Sequence, residues 1–310
     1  MSRLRLVPAL VTVATAGALA LSGCSSSTSK TPPGGSGTTG STTPASQSST
    51  SSGPTAASLV PAAIKSKGTL TVAMDATYAP DESIGSDGKT VVGFDADLAK
   101  AMGQQLGMNV NLVNATFDTI IPGLGSGKYD VGFSSFTDTK KREETVDFVT
   151  YFQAGEGFYV KAGSTKQFNG LDSLCGAKVA VESGTTEQTD AESQSKKCTT
   201  AGKPAVNVIT FSDQNAANLA VSTGRADVGF VDSQIAGYIV KQSNGQFAVT
   251  GTAFEVAPYG IALPKGNGMA PAVLAAIKAL IADGTYTTIL TKWGVQAGAI
   301  TSPVINGATS

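Results

Sequence analysis

From about residue 59 onward, hydrophobic and polar positions alternate between a strand period and a helix period. Residues 69–74 alternate between polar and apolar side chains, which predicts a strand. After Asp95, apolar residues recur at a four-residue spacing up to Gly107, which predicts a helix. By the same reasoning we predict strands at 109–114, 129–134, 178–182, 206–211, 226–231 and 259–263, and helices at 117–124, 186–197, 213–222, 234–241, 270–282 and 286–293. Because strands and helices alternate, we expect an α/β fold with parallel sheets flanked by helices, in two lobes.

The first 24 residues have the features of an export signal. Arg3 and Arg5 provide a basic start, and residues 6–21 form an uncharged, apolar-rich stretch that is short for a membrane-spanning helix. The stretch ends in Leu-Ser-Gly-Cys24, which resembles the lipobox of bacterial lipoproteins, where the signal is cut before the cysteine and the cysteine is diacylated. We therefore predict a signal peptide over 1–23 and lipidation of Cys24. The alternative is an ordinary cleaved signal with an incidental cysteine.

A low-complexity segment follows the signal. Of the 31 residues from 25 to 55, 28 are Ser, Thr, Gly or Pro. Such a composition buries too little apolar surface to offset the entropy of ordering the chain. We predict that residues 24–58 form a disordered tether that holds a folded body near a membrane.

Composition excludes several classes of function. The net charge is −1, from 22 basic and 23 acidic side chains, which argues against nucleic-acid binding. The chain contains no histidine, so it cannot form Ser-His-Asp or Cys-His nucleophile systems or histidine-ligated metal sites. Three cysteines are too few for a four-thiolate metal site, and we expect neither a metal nor a cofactor.

Polar residues follow four of the predicted strands directly. In open parallel sheets, ligands bind outside the carboxyl ends of the strands, so these side chains and the nearby Arg142 predict a binding site. Each one could instead cap a helix, and for any single residue capping is the more common role. The four positions are Asp75, Ser135 with Thr137, residues 183–186, and Asp232.

Two cysteines occupy one end of a predicted βα unit. Cys175 comes just before the strand at 178–182, and Cys198 lies at the end of the helix that follows it. These two points share the end of the unit opposite the ligand-binding edge. We therefore predict a Cys175–Cys198 disulfide and no catalytic role for either cysteine.

Ordered motifs over residues 66–300 resemble those of the polar amino-acid substrate-binding proteins of ABC transporters, solute-binding protein family 3. The resemblance implies a two-lobed periplasmic-binding-protein-like fold of type II. It places lobe 1 at 59–152 plus 260–305, lobe 2 at 157–254, and the hinge at 153–156 and 255–259. The chain departs from the family at Asp81, where an aromatic residue is usual, and at Ala96, where a larger aliphatic residue is usual. The matching motifs are DATYAP at 75–80, GFDADL at 93–98, IIP at 120–122, GKYD at 127–130, TKKR at 139–142, GTT at 184–186, GRAD at 224–227, YGIA at 259–262 and GTY at 284–286.

The resemblance also implies which residues hold the backbone of an amino acid. Arg142 and the helix N-terminus at Thr186 match positions that bind the ligand carboxylate. Asp232 matches the acid that pairs with the α-ammonium. Ser135 and Thr137 match further polar contacts to these two groups.

Other matched positions face the ligand side chain. Tyr78 and Phe117 match two aromatic residues that sandwich it, although Phe117 could equally be a core residue. Asp75, Glu82 and Asp95 match acidic positions near the end of the pocket. Three carboxylates favour a basic or polar neutral amino acid over glutamate, and Asp95 has the alternative of capping its helix.

The family's role implies the partners and location of the protein. We expect a monomer that is lipid-anchored to the cell membrane on its extracytoplasmic face and serves an ABC permease and ATPase, without nucleic-acid partners. Two alternatives stay open. One is a dehydratase-type enzyme on the same scaffold, and the other is a ligand-sensing module.

Overall fold

The computed structural model describes residues 55–310. The predicted signal peptide, Cys24 and nearly all of the predicted tether lie outside the described residues. Eleven strands are described: β1 Thr69–Met74, β2 Thr77–Tyr78, β3 Glu82–Ile84, β4 Val91–Val92, β5 Asn109–Asn114, β6 Val131–Gly132, β7 Val146–Lys161, β8 Lys178–Glu182, β9 Asn207–Phe211, β10 Val228–Asp232 and β11 Phe247–Pro264. Nine described α-helices accompany them: α1 Ala62–Lys65, α2 Phe94–Leu106, α3 Phe117–Gly125, α4 Lys140–Glu143, α5 Thr186–Thr200, α6 Gln214–Ser222, α7 Ser233–Gln242, α8 Ala270–Ala282 and α9 Thr285–Trp293.

One eight-stranded sheet runs through the molecule in the order β5-β1-β6-β11-β7-β10-β8-β9. Strands β5, β1 and β6 are parallel, and so are β10, β8 and β9. The antiparallel pair β7 and β11 joins these two groups. Each group, with its helices, forms one lobe, and this confirms the predicted two-lobed α/β fold. The predicted lobe and hinge boundaries stay predictions.

The two joining strands are much longer than their sequence patterns indicate. β7 covers Val146–Lys161, where the residue pattern predicts no strand, because nearly all of its residues are buried and the alternation of polar and apolar positions is lost. β11 covers Phe247–Pro264 instead of the predicted 259–263. Its pairing with β7 shifts register between Thr250 and Gly260, so β11 is not a regular strand over its whole length.

Smaller differences concern the start of lobe 1. A separate three-stranded antiparallel sheet of β2, β3 and β4 was not predicted, because strands of two or three residues are too short to show a period. Helix α2 begins at Phe94, so Asp95 lies in its first turn and its carboxylate does not cap the helix. Gly93 precedes the helix at φ 141°, and a Cβ there would lie 2.0 Å from the carbonyl oxygen of Asp81.

The predicted disulfide is present. Cys175 and Cys198 are bonded with their Cα atoms 5.6 Å apart. The bond lies at the amino end of β8 and near the end of α5. It packs within a core of lobe 2 that includes Val179 and Phe230.

The C-terminal helices α8 and α9 pack on the core of lobe 1. Side chains such as Ile277 and Leu290 are almost completely buried there. Lys292 and Trp293 both donate to the carboxylate of Asp97 on α2, at 2.7 and 2.8 Å. No single helix within residues 55–310 is long and apolar enough to cross a membrane, although α8 and α9, bent by 77°, pass that test together.

Candidate functional site

A cavity lies between the two lobes. It is placed where β1, β8 and β10 end, as expected for the carboxyl ends of parallel strands. Eight of the ten residues predicted to bind ligand line it, and Glu82 and Asp95 do not. The lining residues are Asp75, Tyr78, Phe117, Ser134, Ser135, Thr137, Arg142, Glu182, Thr185, Thr186, Glu187 and Asp232.

Arg142, on the short helix α4, provides the one basic side chain among these lining residues. Its guanidinium lies 5.5 and 5.4 Å from the ring centres of Phe117 and Phe136. It donates to the carbonyl of Thr137 at 2.8 Å and, across the cleft, to the carbonyl of Gly184 at 2.9 Å. Burial lowers the pKa of Arg142, and the nearby carboxyls of Glu187 and Asp232 oppose this change. The planar group is therefore held rigidly in the cavity wall, ready to bind an anion.

An acidic pair lies close to Arg142. Asp232, the last residue of β10, accepts a hydrogen bond at 2.9 Å from the hydroxyl of Tyr78 in the other lobe. Burial raises the pKa of Asp232 to about 6. Glu187, in the first turn of α5, is also buried, and burial together with Asp232 raises its pKa to about 8. Arg142 lowers both values, so the three groups form one mixed-charge cluster.

The N-terminus of α5 faces the same cavity. Thr185 caps the helix, because its hydroxyl accepts from the backbone N–H of Gln188 at 3.1 Å. The next residue, Thr186, has its hydroxyl 3.3 Å from that of Thr137 in the other lobe. A helix N-terminus beside a guanidinium favours a carboxylate.

A second acidic pair, Asp75 and Glu182, combines one residue from each lobe. Asp75 accepts from the backbone N–H of Phe117 at 3.0 Å and from the hydroxyl of Thr77 at 2.7 Å. The carboxyl of Glu182, only 2 % exposed, lies within hydrogen-bonding reach of Asp75. Burial, with the negative charge of Asp75, raises the pKa of Glu182 to about 10. With that pKa, Glu182 is protonated at neutral pH.

The structure places Glu82 and Asp95 behind the cavity wall. Glu82 accepts from the hydroxyl of Ser134 at 2.6 Å, and Asp95 accepts from Tyr151 at 2.7 Å and from the backbone N–H of Ser135 at 2.9 Å. Both side chains are fully buried, and burial raises the pKa of Asp95 to about 7. Glu82 and Asp95 position Ser134 and Ser135 in the cavity wall and do not reach the cavity themselves.

Asp81, the departure from the usual family pattern, belongs to the same buried group. It accepts from the hydroxyl of Ser135 at 2.8 Å and from Gln234 of the other lobe at 3.1 Å. Burial and the neighbouring Asp95 raise its pKa well above the usual range. Ser135 itself has φ 50°, in the left-handed region, and its contacts to Asp81 and Asp95 hold it there.

Sequence reasoning missed two acidic lining residues, Glu182 and Glu187. Glu182 is the last residue of a correctly predicted strand, so the rule that ligands bind beyond strand ends points to its neighbourhood. Glu187 lies in a first helical turn, where acidic residues are common for reasons of helix stability alone. Only the folded geometry shows that both side chains line the cavity.

Two known proteins that are similar to this chain are amino-acid-binding proteins. The arginine-binding protein ArgT of Corynebacterium glutamicum is 31% identical over 256 residues, covering 82% of this chain and 83% of that protein. The L-cystine-binding protein TcyJ of Escherichia coli K12 is 32% identical over 232 residues, covering 74% and 84%.

Solved structures of amino-acid-binding proteins are also similar to this chain. An ancestral arginine-binding protein bound to arginine superposes with a TM-score of 0.67 at 37% identity, covering 73% of this chain and 98% of that chain. The same kind of ancestral protein bound to glutamine gives a TM-score of 0.67 at 38% identity, covering 74% and 98%. The model of the bacterial extracellular solute-binding proteins, family 3, matches residues 70–296. The chain therefore belongs to this family of solute-binding proteins.

Proposed function

We propose that this protein captures an amino acid, preferably one with a cationic side chain such as arginine, lysine, ornithine or histidine. The charge of the cavity carries the proposal. Four carboxyl groups line it against the single guanidinium of Arg142, and they are Asp75, Glu182, Glu187 and Asp232. An amino acid with a basic side chain brings two positive groups and one negative group, which complements this excess of acid.

Each part of such a ligand has a matching group. Arg142 and the N-terminus of α5 bind the carboxylate, and Asp232 binds the α-ammonium with Glu187 beside it. A guanidinium or ammonium at the end of the side chain lies between Asp75 and Glu182 and displaces the proton of Glu182. The aromatic rings of Tyr78 and Phe117 cover the apolar stem of the side chain.

The ligand bridges two lobes, so binding couples to hinge closure. Arg142 and Asp75 belong to one lobe, whereas Asp232 and Glu182 belong to the other. The closed protein then delivers the amino acid to the permease and ATPase of an ABC importer. In this proposal the chain is a monomer anchored through lipidated Cys24 to the extracytoplasmic face of the cell membrane.

A simple measurement distinguishes a dehydratase-type enzyme from a binding protein. A dehydratase on this scaffold would convert its substrate, whereas a binding protein makes and breaks no covalent bond. We expect mass spectrometry to recover the amino acid unchanged after long incubation. A chemically altered product would favour the enzyme.

The decisive variant is Arg142→Ala in the full-length protein, purified in detergent. Removing the guanidinium leaves the ligand carboxylate unpaired, which typically costs about 2–5 kcal/mol. Calorimetric titration should therefore show affinity weakened by roughly 30- to several-thousand-fold, to a similar extent for every amino acid that binds. Lys141→Ala is the matched control, because Lys141 lies next in the chain and its exposed side chain pairs only with Glu144.

A thermal-shift screen against the twenty amino acids tests the ligand class. A ligand at about 100 times its dissociation constant adds about 2.7 kcal/mol of stability, which is a clear rise in Tm. We expect the largest rise with basic amino acids and almost none with glutamate.

If Arg142→Ala binds like the parent protein, the assigned site is in the wrong place.

A further inference from the structure

A second acidic cluster lies outside the proposed amino-acid site. Glu156 on β7, Glu255 on β11 and Asp190 on α5 each place a carboxylate oxygen within 4.8 Å of the others. All three line a separate cavity, which meets the first one at Thr186 and Asp232. The cluster thus links the long strands β7 and β11 to α5, the helix whose N-terminus faces the proposed ligand.

Glu156 distinguishes this cluster from an ordinary acidic surface. Its side chain is 5 % exposed, and its Oε2 atom is buried without a hydrogen-bond partner among the described residues. A buried carboxyl in acidic surroundings needs either a proton or a cation as its counterpart.

Basic side chains do not supply that counterpart. Within residues 55–310, no lysine or arginine forms an ion pair with Glu156, Asp190 or Glu255. Lys197 on α5 has an exposed side chain and forms no contact of ion-pair length with the cluster. The counterpart of the buried carboxyl is therefore a proton or a cation from outside the chain.

We propose that Glu156, Asp190 and Glu255 bind a hard divalent cation, with Ca²⁺ as the best match. Carboxylate oxygens are the ligands that Ca²⁺ prefers, at about 2.3–2.6 Å, so oxygens on opposite sides of the ion lie roughly 4.8 Å apart. The observed spread of the three residues fits that separation. Such an ion ties β7 and β11 to α5. This site goes beyond the proposed amino-acid binding and does not depend on it.

The test is a calorimetric titration of full-length, EDTA-treated protein in detergent with CaCl₂. We expect one bound ion per chain, with a dissociation constant of about 10⁻⁴–10⁻³ M as in extracellular calcium modules, and a rise in Tm. Glu156→Gln and Asp190→Asn each remove one ligand charge with little change in shape. Each should weaken Ca²⁺ binding by at least about tenfold.

Glu192→Gln is the matched control, since Glu192 is an exposed acid on the same helix that accepts a hydrogen bond from Gln188. This variant should bind Ca²⁺ like the parent protein. The proposal is overturned if the parent shows neither heat nor a rise in Tm up to about 10 mM CaCl₂, ten times the weakest expected constant. It is equally overturned if Glu156→Gln and Asp190→Asn bind Ca²⁺ as tightly as the control. Titrating the same variants with arginine reports on the amino-acid site separately.

Discussion

At the scale of single residues, we expect the protonation of Glu182, which lies beside Asp75, to determine how binding responds to pH. Burial raises the pKa of Glu182 to about 10, so Glu182 is protonated at pH 7 when no cation faces it. A guanidinium between the two carboxyls stabilises the ionised form and lowers that pKa. Binding therefore releases a proton, and affinity for a cationic ligand should rise with pH.

We predict that arginine affinity increases between about pH 6 and pH 8, by up to about tenfold per unit for each proton released. Asp232, with a pKa of about 6, adds to the loss of affinity at the acidic end because its protonated form cannot pair with an ammonium. Glu182→Gln removes one proton-releasing group and one charge-assisted contact. It should weaken arginine binding by about 1.5–3 kcal/mol and flatten the pH profile above pH 7.

Neutral ligands provide the control for this prediction. Binding of glutamine, if measurable, should change little in Glu182→Gln, because an amide does not need a second negative charge. The heat of arginine binding should also vary with the ionisation enthalpy of the buffer. A pH-independent arginine affinity that is unchanged in Glu182→Gln contradicts the placement of the cationic group.

At the scale of elements, the βα unit of β8 and α5 has a stabilising disulfide at one end and cavity-lining residues at the other. Its amino end carries the Cys175–Cys198 bond, and its opposite end carries Glu182, Thr186 and Glu187 in the cavity wall. A bond that closes a loop of 23 residues stabilises by roughly 3 kcal/mol in the chain-entropy model. Its loss should therefore act on unfolding and leave ligand binding unchanged.

We predict that the double variant Cys175→Ser, Cys198→Ser lowers the free energy of unfolding by about 3 kcal/mol in denaturant titrations. Its affinity for amino acids should equal that of the parent protein. Adding a reducing agent to the parent should reproduce the same loss, whereas the double variant should not respond to it. A large fall in affinity would mean that the bond also positions the N-terminus of α5.

At the scale of the whole molecule, lobe 1 contributes Asp75 and Arg142 to the cavity wall, and lobe 2 contributes Glu182, Glu187 and Asp232. The N-terminal segment would hold this body at the membrane. Two acyl chains on Cys24 suffice for stable anchoring, at about 0.8 kcal/mol per buried CH₂. We predict that Cys24→Ala releases the protein into the medium or leaves an unprocessed precursor. Cell fractionation with mass spectrometry checks this, and a variant of mature mass in the membrane fraction would rule out lipidation.

Much of the fold and site could be predicted because the signals are local. Strand β1, the disulfide, and eight of the lining residues follow from periodicity, strand ends and family motifs. The same signals failed in β7, where burial on both faces removes the alternation, and in β2–β4, which are too short to show a period.

By itself, the sequence determined most of the order of strands and helices, the pairing of Cys175 with Cys198, and the polar residues at strand ends, since each depends on neighbours along the chain. Tertiary structure alone decided which acidic residues share a cavity. Glu82 and Asp95 resemble site residues in sequence, yet hydrogen bonds to Ser134, Ser135 and Tyr151 keep them behind the wall. Burial and distance between remote segments, which no local pattern encodes, instead bring Glu182 to Asp75 and Glu156 to Asp190 and Glu255.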